Sequence, residues 1–471
     1  MPAMKKKLCL VTFGCQMNVH DSQRMEDLMR DAGYEVVPEV EGADVVILNT
    51  CSVREKGEQK LRSEAGKLKK ADTVLVVAGC VAQQEGEALL KSMPFIDVVV
   101  GPDNLQELPA LVREAELGGP STVRTVFDVD APHFLTNSVA PGAAGASAYV
   151  TVMKGCDERC SFCVVPYTRG PERYRPADDI VAEVRALVEG GTREVVLLGQ
   201  TVNSFLDPTV ALPADRDPDE SQFPELLRRI AAEAPGLDRL RYTSPHPRHL
   251  TASLVRAHAD LAVLSTHVHM PVQSGSDRVL KRMIRRYTRA EYVRRVTALR
   301  AARPELTLST DIIVGFPGET RDDFDLTLSL VRELQFVSLY GFKYSVRPHT
   351  PALKLDDDVP EGEKQSRLLA LFEVSEAQTR AHLATLVGAR VELLIEGPSR
   401  PGASTWSGRT RANEIVHVAG GEGVGPGAVV VAEVARANKH SLEGRVESVR
   451  IPAATRVQPT FRRIALPVVT A

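Results

Sequence analysis

Cys156, Cys160 and Cys163 fall within one eight-residue stretch, Cys156-Asp-Glu-Arg-Cys160-Ser-Phe-Cys163. A loop of that length can wrap three thiolates around one face of an iron–sulfur cubane, and such clusters are ordinarily held by four thiolates. Three ligands leave one iron without a protein partner, and an open coordination position is what a catalytic metal needs. A zinc site lacking its fourth ligand, or thiols gathered by coincidence, would use the same residues.

A second set is dispersed along the chain. Cys15, Cys51 and Cys80 follow the apolar runs at residues 7–13, 44–48 and 72–78. The carboxyl ends of strands in an open α/β sheet lie along one edge, where ligands bind, so three distant thiols would converge there. Ser52-Val-Arg-Glu55 has the pattern of a capping box that starts a helix directly after Cys51. A helix N-terminus favours a thiolate and a negatively charged cluster. The competing reading is three core cysteines, but a core cysteine has no reason to choose a strand end three times running. Cys9 lies inside the first run and reads as core. Seven cysteines in a long chain with no export signal point to a reducing cytoplasm, and to thiols used for metal or catalysis. The basic residues 5–7 precede a short apolar run without a small-residue cleavage site, which reads as a first strand.

The elements that must position these thiols form three blocks. From the start to about residue 135, continuous apolar runs alternate with helical stretches at 22–32, 52–70 and 81–92. That alternation predicts a parallel sheet covered on both faces. Residues 138–148 are rich in Pro, Gly, Ala and Ser and read as a linker. Six further units follow, with strands at 149–153, 194–198, 239–242, 265–269, 307–314 and 337–344. The helices between them are at 177–189, 222–232, 277–284, 289–300 and 321–334. This predicts all or part of a parallel β/α barrel over 148–386, with a polar excursion at 206–221 and a charged helix at 361–386 leading out. Short strands at 391–396, 408–411, 415–418 and 429–435, separated by glycine-rich turns, predict a small antiparallel β-barrel over 387–450. Residues 451–471 read as a loosely held tail. The fold class is α/β, with an all-β terminal module.

Composition sets the limits. The chain has 471 residues, a net charge of −3, 43% apolar and 25% charged residues. Those values fit folded protein of about three domains and exclude a disordered or coiled-coil chain. No run of 18 apolar residues occurs, so a membrane helix is excluded. The near-neutral balance gives no global case for nucleic acid, so RNA binding needs a local basic face.

The Cys156 stretch, with Phe162 before its third cysteine, resembles the radical S-adenosylmethionine (SAM) superfamily. The resemblance implies that the open iron chelates SAM and that reduction cleaves it to a 5′-deoxyadenosyl radical. Two three-cysteine sites and a terminal β-barrel resemble its methylthiotransferase branch. The matching stretches are FGCQMNV from Phe13, LNTCSVREKG from Leu48, AGCVAQQ from Ala78 and MKGCDERCSFCVVPYTRG from Met153. They continue with LGQTVNSFL from Leu198, YTSPHPRHLT from Tyr242, HMPVQSGSDRVLKRMI from His269, DIIVGFPGETR from Asp311 and FKYSVRPHTPAL from Phe342. The resemblance spans residues 8–450 and departs at Val346 and His349, where the family pattern has proline and glycine. It implies two 4Fe-4S clusters, on Cys15, Cys51 and Cys80 and on Cys156, Cys160 and Cys163, with SAM as cosubstrate. The NTCSVRE version around Cys51 most resembles the members that methylthiolate N6-isopentenyladenosine at tRNA position 37. Sister enzymes act on threonylcarbamoyladenosine in tRNA or on a ribosomal aspartate. The resemblance also implies a low-potential electron donor, a sulfur source and a terminal RNA-binding module called TRAM. A rival of another class is a non-catalytic RNA-binding protein with structural metal.

Polar residues at barrel strand ends read as binding groups, so Gln200, Asn203, Gln273 and Ser274 are candidates for the SAM pocket. Gly315 would let backbone approach a ligand closely, and Thr320 with Asp323 reads as a helix cap. His267 and His269 read as packed. Turn chemistry is the alternative for each polar candidate, and no catalytic residue beyond the cluster ligands is identified. For RNA, residues 278–303 carry Arg278, Lys281, Arg282, Arg285, Arg286, Arg289, Arg294, Arg295, Arg300 and Arg303, a stripe able to neutralise phosphates. The terminal module adds Arg409, Arg411 and Lys439. Trp406 reads as packing rather than stacking. A tRNA anticodon loop presents splayed bases, which chemistry on a base atom requires.

Overall fold

The computed structural model describes residues 5–14, 16–52, 55–69, 72–129, 132–136, 145–400, 404–453 and 462–464. Cys15 and part of the Ser52–Glu55 cap lie outside the described residues, as does most of the 138–148 linker.

The first block is a parallel sheet in the order Glu35–Val36, Lys7–Phe13, Val45–Thr50, Val74–Gly79, Val98–Val100, Thr122–Arg124. Successive side chains on a strand point to opposite faces. Here both faces carry apolar residues because both are covered. Cys9, Val11, Val46, Leu48, Leu75 and Val77 pack toward Leu61, Ala65 and Leu89. Leu8, Leu10, Val45, Ile47, Val74 and Val76 pack toward Met25, Met29, Leu108 and Val112. Each fully buried aliphatic side chain contributes about 1.5–3 kcal/mol. The expected helix at 81–92 is two helices, Cys80–Glu85 and Glu87–Ser92, broken at Gly86, whose φ is +50°. The tail is not wholly loose: Arg462–Ile464 pairs in parallel with Val11–Phe13. A pairing of three residues is too short to give a periodic signal.

The middle block has six parallel strands in two sheets. Ser147–Thr151, Glu194–Leu198 and Arg239–Tyr242 form one, and His267–His269, Thr307–Val314 and Ser338–Lys343 form the other. A single bridge, Leu240 to Leu264, links them. Helices such as Ala177–Glu189, Phe223–Glu233, Arg289–Ala302 and Arg321–Leu334 cover the outside and share one core with the strands. The helix Glu361–Thr385 packs its Leu368, Leu371 and Phe372 onto that core. Thr320 and Asp323 form a complete capping box.

The terminal block is a closed five-stranded barrel: Arg390–Pro398, Thr405–Arg409, Ile415–Ala419, Leu442–Ile451 and Val429–Ala437. Leu442–Ile451 escaped the sequence reading because its pairing with Val429–Ala437 slips register three times, which breaks the alternation. This barrel sits at the amino ends of the middle strands. Arg239, fully buried, donates to the Arg409 carbonyl at 2.6 Å, and Arg241 to the Thr410 carbonyl at 2.8 Å. The opposite, carboxyl ends of those strands are left for the cysteine loop.

Candidate active site

The loop that leaves Met153–Lys154 carries the first trio. Gly155 precedes Cys156 with φ +79°, and a Cβ there would lie 1.8 Å from the Pro171 carbonyl, so only glycine fits. Its N–H donates to Gln200 Oε1 at 2.5 Å, and the Cys156 N–H donates to the Gly170 carbonyl at 3.1 Å. The Cys156 sulfur lies 2.9 Å from the Thr201 hydroxyl. Ser161 ties the loop to the Met283 and Arg282 carbonyls at 2.9 and 2.8 Å. Arg285 is buried and donates to the Cys160 sulfur at 3.2 Å, to the Tyr287 hydroxyl at 2.9 Å and to the Pro271 carbonyl at 3.1 Å. Burial, then the charge of Cys160, pushes the Cys163 thiol up to about 12; burial and Cys163 raise Cys156 as well. Three thiolates at this depth would need a strong positive counter-charge, to which Arg285 contributes at Cys160 and a bound metal would add. Among the described residues, no trio of His, Cys, Asp or Glu is gathered as a single metal ion requires. The donor set is three thiol sulfurs with a buried cationic partner, Arg285, on one of them, which suits thiolate ligation of an iron–sulfur cluster. Among the described residues, Gln200 Nε2 is a buried donor without a partner, a group a ligand could engage.

The expected pocket residues divide into two kinds. Phe162 packs with Met283, Phe316 and Tyr344, which brings the Gly315 turn against the cysteine loop. Gly315 has φ +67°, and its N–H donates to Glu319 Oε2 at 2.6 Å. Glu319 in turn forms a buried ion pair with Arg367 at 2.7 Å, and burial raises its carboxyl. Gln273 has φ +73° and exchanges backbone hydrogen bonds with Asp311 and Ile313, beside Pro271 and Val272, which hold Arg285 and Tyr287. Asn203 and Ser274, expected as cofactor-binding groups, are engaged elsewhere. Both ends of the Asn203 amide bond the backbone of His246, at 2.9 and 2.7 Å. The Ser274 hydroxyl meets Thr327 and accepts from the Ser276 N–H. These two shape loops. His267 and His269 bond Thr307 and Ser309, as packed residues do. His349 takes φ +64°, so it adopts the left-handed turn glycine favours, and its ring lies 5.8 Å from that of Tyr167. Val346 is exposed.

In the first block, Cys51 follows Val45–Thr50 and Cys80 follows Val74–Gly79, and Thr50 pairs with Gly79. The two thiols therefore leave neighbouring strands at one level of one edge, and both are buried. A Cβ on Gly14 would lie 2.4 Å from Cys51 Cβ, so the residue before Cys15 abuts the same place. Asn18 and Asn49 lock this edge: the Asn18 amide donates to Asn49 Oδ1 at 3.1 Å and to the Thr50 carbonyl at 2.9 Å.

The two edges meet. The helix Val165–Thr168, two residues past Cys163, packs against the helix Cys80–Glu85. Arg169, at its end, donates from Nε to the Cys80 sulfur at 3.3 Å and from its guanidinium to Asp21 at 2.6 Å. Asp103 of the first block pairs with Lys154 and Arg173. Sequence reasoning missed Arg169, Thr201 and the Glu319–Arg367 pair and took Arg285 for a surface cation. Partners 45 to 148 residues away leave no local signal.

The basic stripe is largely engaged within the fold. Arg278 pairs with Asp323, Arg289 with Glu333, Arg295 with Asp219 and Arg303 with Glu305. Arg282 and Arg300 donate to the Pro317 and Leu334 carbonyls. Lys281, Arg286 and Arg294 stay exposed. In the terminal barrel, Arg409 pairs with Glu396, Arg411 with Asp238 and Glu392, and Lys439 with Glu376. Trp406 packs on the barrel core.

Three family models match this chain: an uncharacterised protein family, UPF0004, over residues 7–101, the radical SAM superfamily over 150–331 and the TRAM domain over 384–446. A protein of Sorangium cellulosum is 63% identical, over 98% of each chain. One of Bordetella petrii is 47% identical over 88% of this chain and 86% of its own, and one of Maricaulis maris 43% over 96% and 100%. All three are named tRNA-2-methylthio-N(6)-dimethylallyladenosine synthase. Among solved structures, a radical SAM methyltransferase of Kitasatospora setae matches with a TM-score of 0.50 at 16% identity, over 74% of this chain and 77% of that one. That likeness concerns the fold.

Proposed function

The chain belongs to the tRNA-2-methylthio-N(6)-dimethylallyladenosine synthase family, and on that premise we propose that it methylthiolates carbon 2 of N6-isopentenyladenosine at tRNA position 37. The product is 2-methylthio-N6-dimethylallyladenosine. The observation that carries this reading is the packing of the helix after Cys163 against the helix that starts at Cys80, since sulfur donor and hydrogen abstraction must act on one carbon atom.

Cys156, Cys160 and Cys163 would hold one 4Fe-4S cluster with SAM on its open iron, and Cys15, Cys51 and Cys80 a second. When bound, the first supplies hydrogen-abstracting chemistry and the second the sulfur to be methylated and transferred. The chain supplies everything else. Arg285 and Thr201 hold charge at Cys160 and Cys156. Gln200 fixes the Gly155 turn. Phe162, Gln273 and Gly315 line the SAM side, and Asn203 and Ser274 brace it. The packed seam between the blocks orients the base and excludes water. Exposed Lys281, Arg286 and Arg294 meet phosphates of the anticodon loop. The division at 1–135, 148–386 and 387–450 with a 451–471 tail belongs to this reading, as do a cytoplasmic setting, an external low-potential electron donor and an external sulfur source. Among the described residues no helix is long and apolar enough to cross a membrane.

The test is anaerobic reconstitution with about eight irons, then reaction with SAM, a low-potential reductant and tRNA from a strain lacking the enzyme, and mass analysis of the nucleosides of that treated tRNA. The expected product is the methylthiolated isopentenyladenosine. Methylthiolation of threonylcarbamoyladenosine or of a ribosomal aspartate would move the chain to a sister activity. Tightly held zinc without SAM cleavage would leave a non-catalytic RNA-binding protein.

A further inference from the structure

Arg169 belongs to the barrel block by sequence and to the first block by contact. It is 4% exposed. Its Nε donates to the Cys80 sulfur at 3.3 Å, and its guanidinium donates to Asp21 at 2.6 Å. Its own carbonyl accepts from Arg173 at 2.7 Å, and the next residue, Gly170, accepts the Cys156 N–H at 3.1 Å. Two consecutive residues therefore touch both thiol trios, one through a side chain and one through the main chain. Arg285 stands in the matching relation to Cys160, at 3.2 Å, but comes from the same block as its thiol.

We propose that Arg169 is a positioning residue for the second cluster: from the barrel it supplies the positive charge that steadies the Cys80 thiolate, so the second site is electrostatically complete only when the two blocks are docked. This rests on the reading of Cys15, Cys51 and Cys80 as cluster ligands. A hydrogen bond from a charged donor is among the stronger kinds, and hydrogen bonds to ligand sulfurs, net charge and exposure set a cluster's reduction potential. Adding one electron makes the cluster more negative, which a buried guanidinium on its ligand favours. Asp21 works against this by neutralising part of that charge. The two side chains therefore act on the potential with opposite signs.

The test uses the full chain in which Cys156, Cys160 and Cys163 are all replaced by alanine, reconstituted anaerobically so that only the second cluster loads. The readouts are iron content, electron paramagnetic resonance of the reduced state and the midpoint potential, with the electron supplied by a chemical mediator. In that background Arg169→Gln should disfavour the reduced state about tenfold, a fall of about 59 mV for a one-electron couple. Arg169→Lys should recover part of the fall, and Asp21→Asn should move the midpoint upward. Equal midpoints for the parent and Arg169→Gln overturn the proposal. Should Arg169→Gln fail to fold, Asp21→Asn decides: an unchanged or lowered midpoint overturns the proposal and a raised one upholds it. Absence of iron in the triple-alanine parent overturns the ligand reading itself, a result distinguishable from the others.

Discussion

Cys156, Cys160 and Cys163 sit on one loop, whereas Cys51 and Cys80 become neighbours only because Val45–Thr50 and Val74–Gly79 pair in parallel with Thr50 opposite Gly79. The first site is written in local sequence and the second in topology. Their protection differs likewise. The barrel trio has an arginine, Arg285, held by a phenol and a carbonyl of its own block. The first-block trio borrows Arg169 across a seam and anchors it to a carboxylate. A site assembled from two blocks can be undone by separating them; a site on one loop cannot.

The largest effect that would break this comparison is loss of the thiols themselves. Cys156→Ala should reduce SAM cleavage to the uncatalysed level and abolish product. Cys51→Ala should spare deoxyadenosine formation and still abolish methylthiolation, with about half the iron lost. Equal SAM cleavage by wild type and Cys156→Ala refutes the assignment of roles.

The glycines beside each trio come next. Gly155→Ala combines left-handed strain of about 1–2 kcal/mol with a backbone clash at 1.8 Å, and overpacking costs about 1–3 kcal/mol. Gly79 has φ +93°, and a Cβ there would meet Asn49 Oδ1 and the Thr50 carbonyl, both at 2.5 Å. Each substitution should destabilise by about 2–5 kcal/mol in urea unfolding, and each should cost mainly the irons of its own site. Loss of all the iron from either variant would mean that the two sites load as one.

How much of this was legible follows the same divide. The strands Glu194–Leu198, Arg239–Tyr242 and Thr307–Val314 agree with the sequence expectation end to end, each being a short segment set between helical stretches. The Thr320 cap was legible for the same reason, since its partner is three residues away. The bonding of Asn203 to the His246 backbone was not legible, because a buried amide at a strand end looks the same whether it meets a ligand or main chain. Arg285 was misread because its stripe is one-sided in charge, and only the fold shows that it turns inward to Cys160. Arg169 needed two blocks in place before its role existed.

Acid should distinguish the two arginine anchors. Burial alone would raise the Asp21 carboxyl, but Arg169 and His20 hold it down to about 2. A carboxylate depressed in the fold stabilises above its unfolded value near 3.8 and loses that contribution as pH falls through about 2. Asp21→Asn should therefore cost about 2 kcal/mol at pH 6, and the gap to wild type should close between pH 4 and 2. Tyr287, the matching anchor in the barrel, is a buried phenol whose pKa is raised by that burial, so its hold on Arg285 should not change across that window. A pH-independent gap for Asp21→Asn would show that the seam does not depend on its charge.

The smallest effect concerns Thr201. Its hydroxyl lies 2.9 Å from the Cys156 sulfur and is buried, and once the sulfur is a thiolate the hydroxyl must be the donor. Thr201→Val keeps the shape and removes one hydrogen bond, worth about 1 kcal/mol. That is about a fivefold shift in the reduction equilibrium of the first cluster, about 40 mV downward. Cys51 and Cys80 should not respond, because Thr201 touches neither. A fall confined to the first cluster supports separate electrostatic control of the two sites. An equal fall in both would mean that the packed helices Val165–Thr168 and Cys80–Glu85 transmit charge between them, and the contrast between a local site and a topological one would then be one of sequence alone.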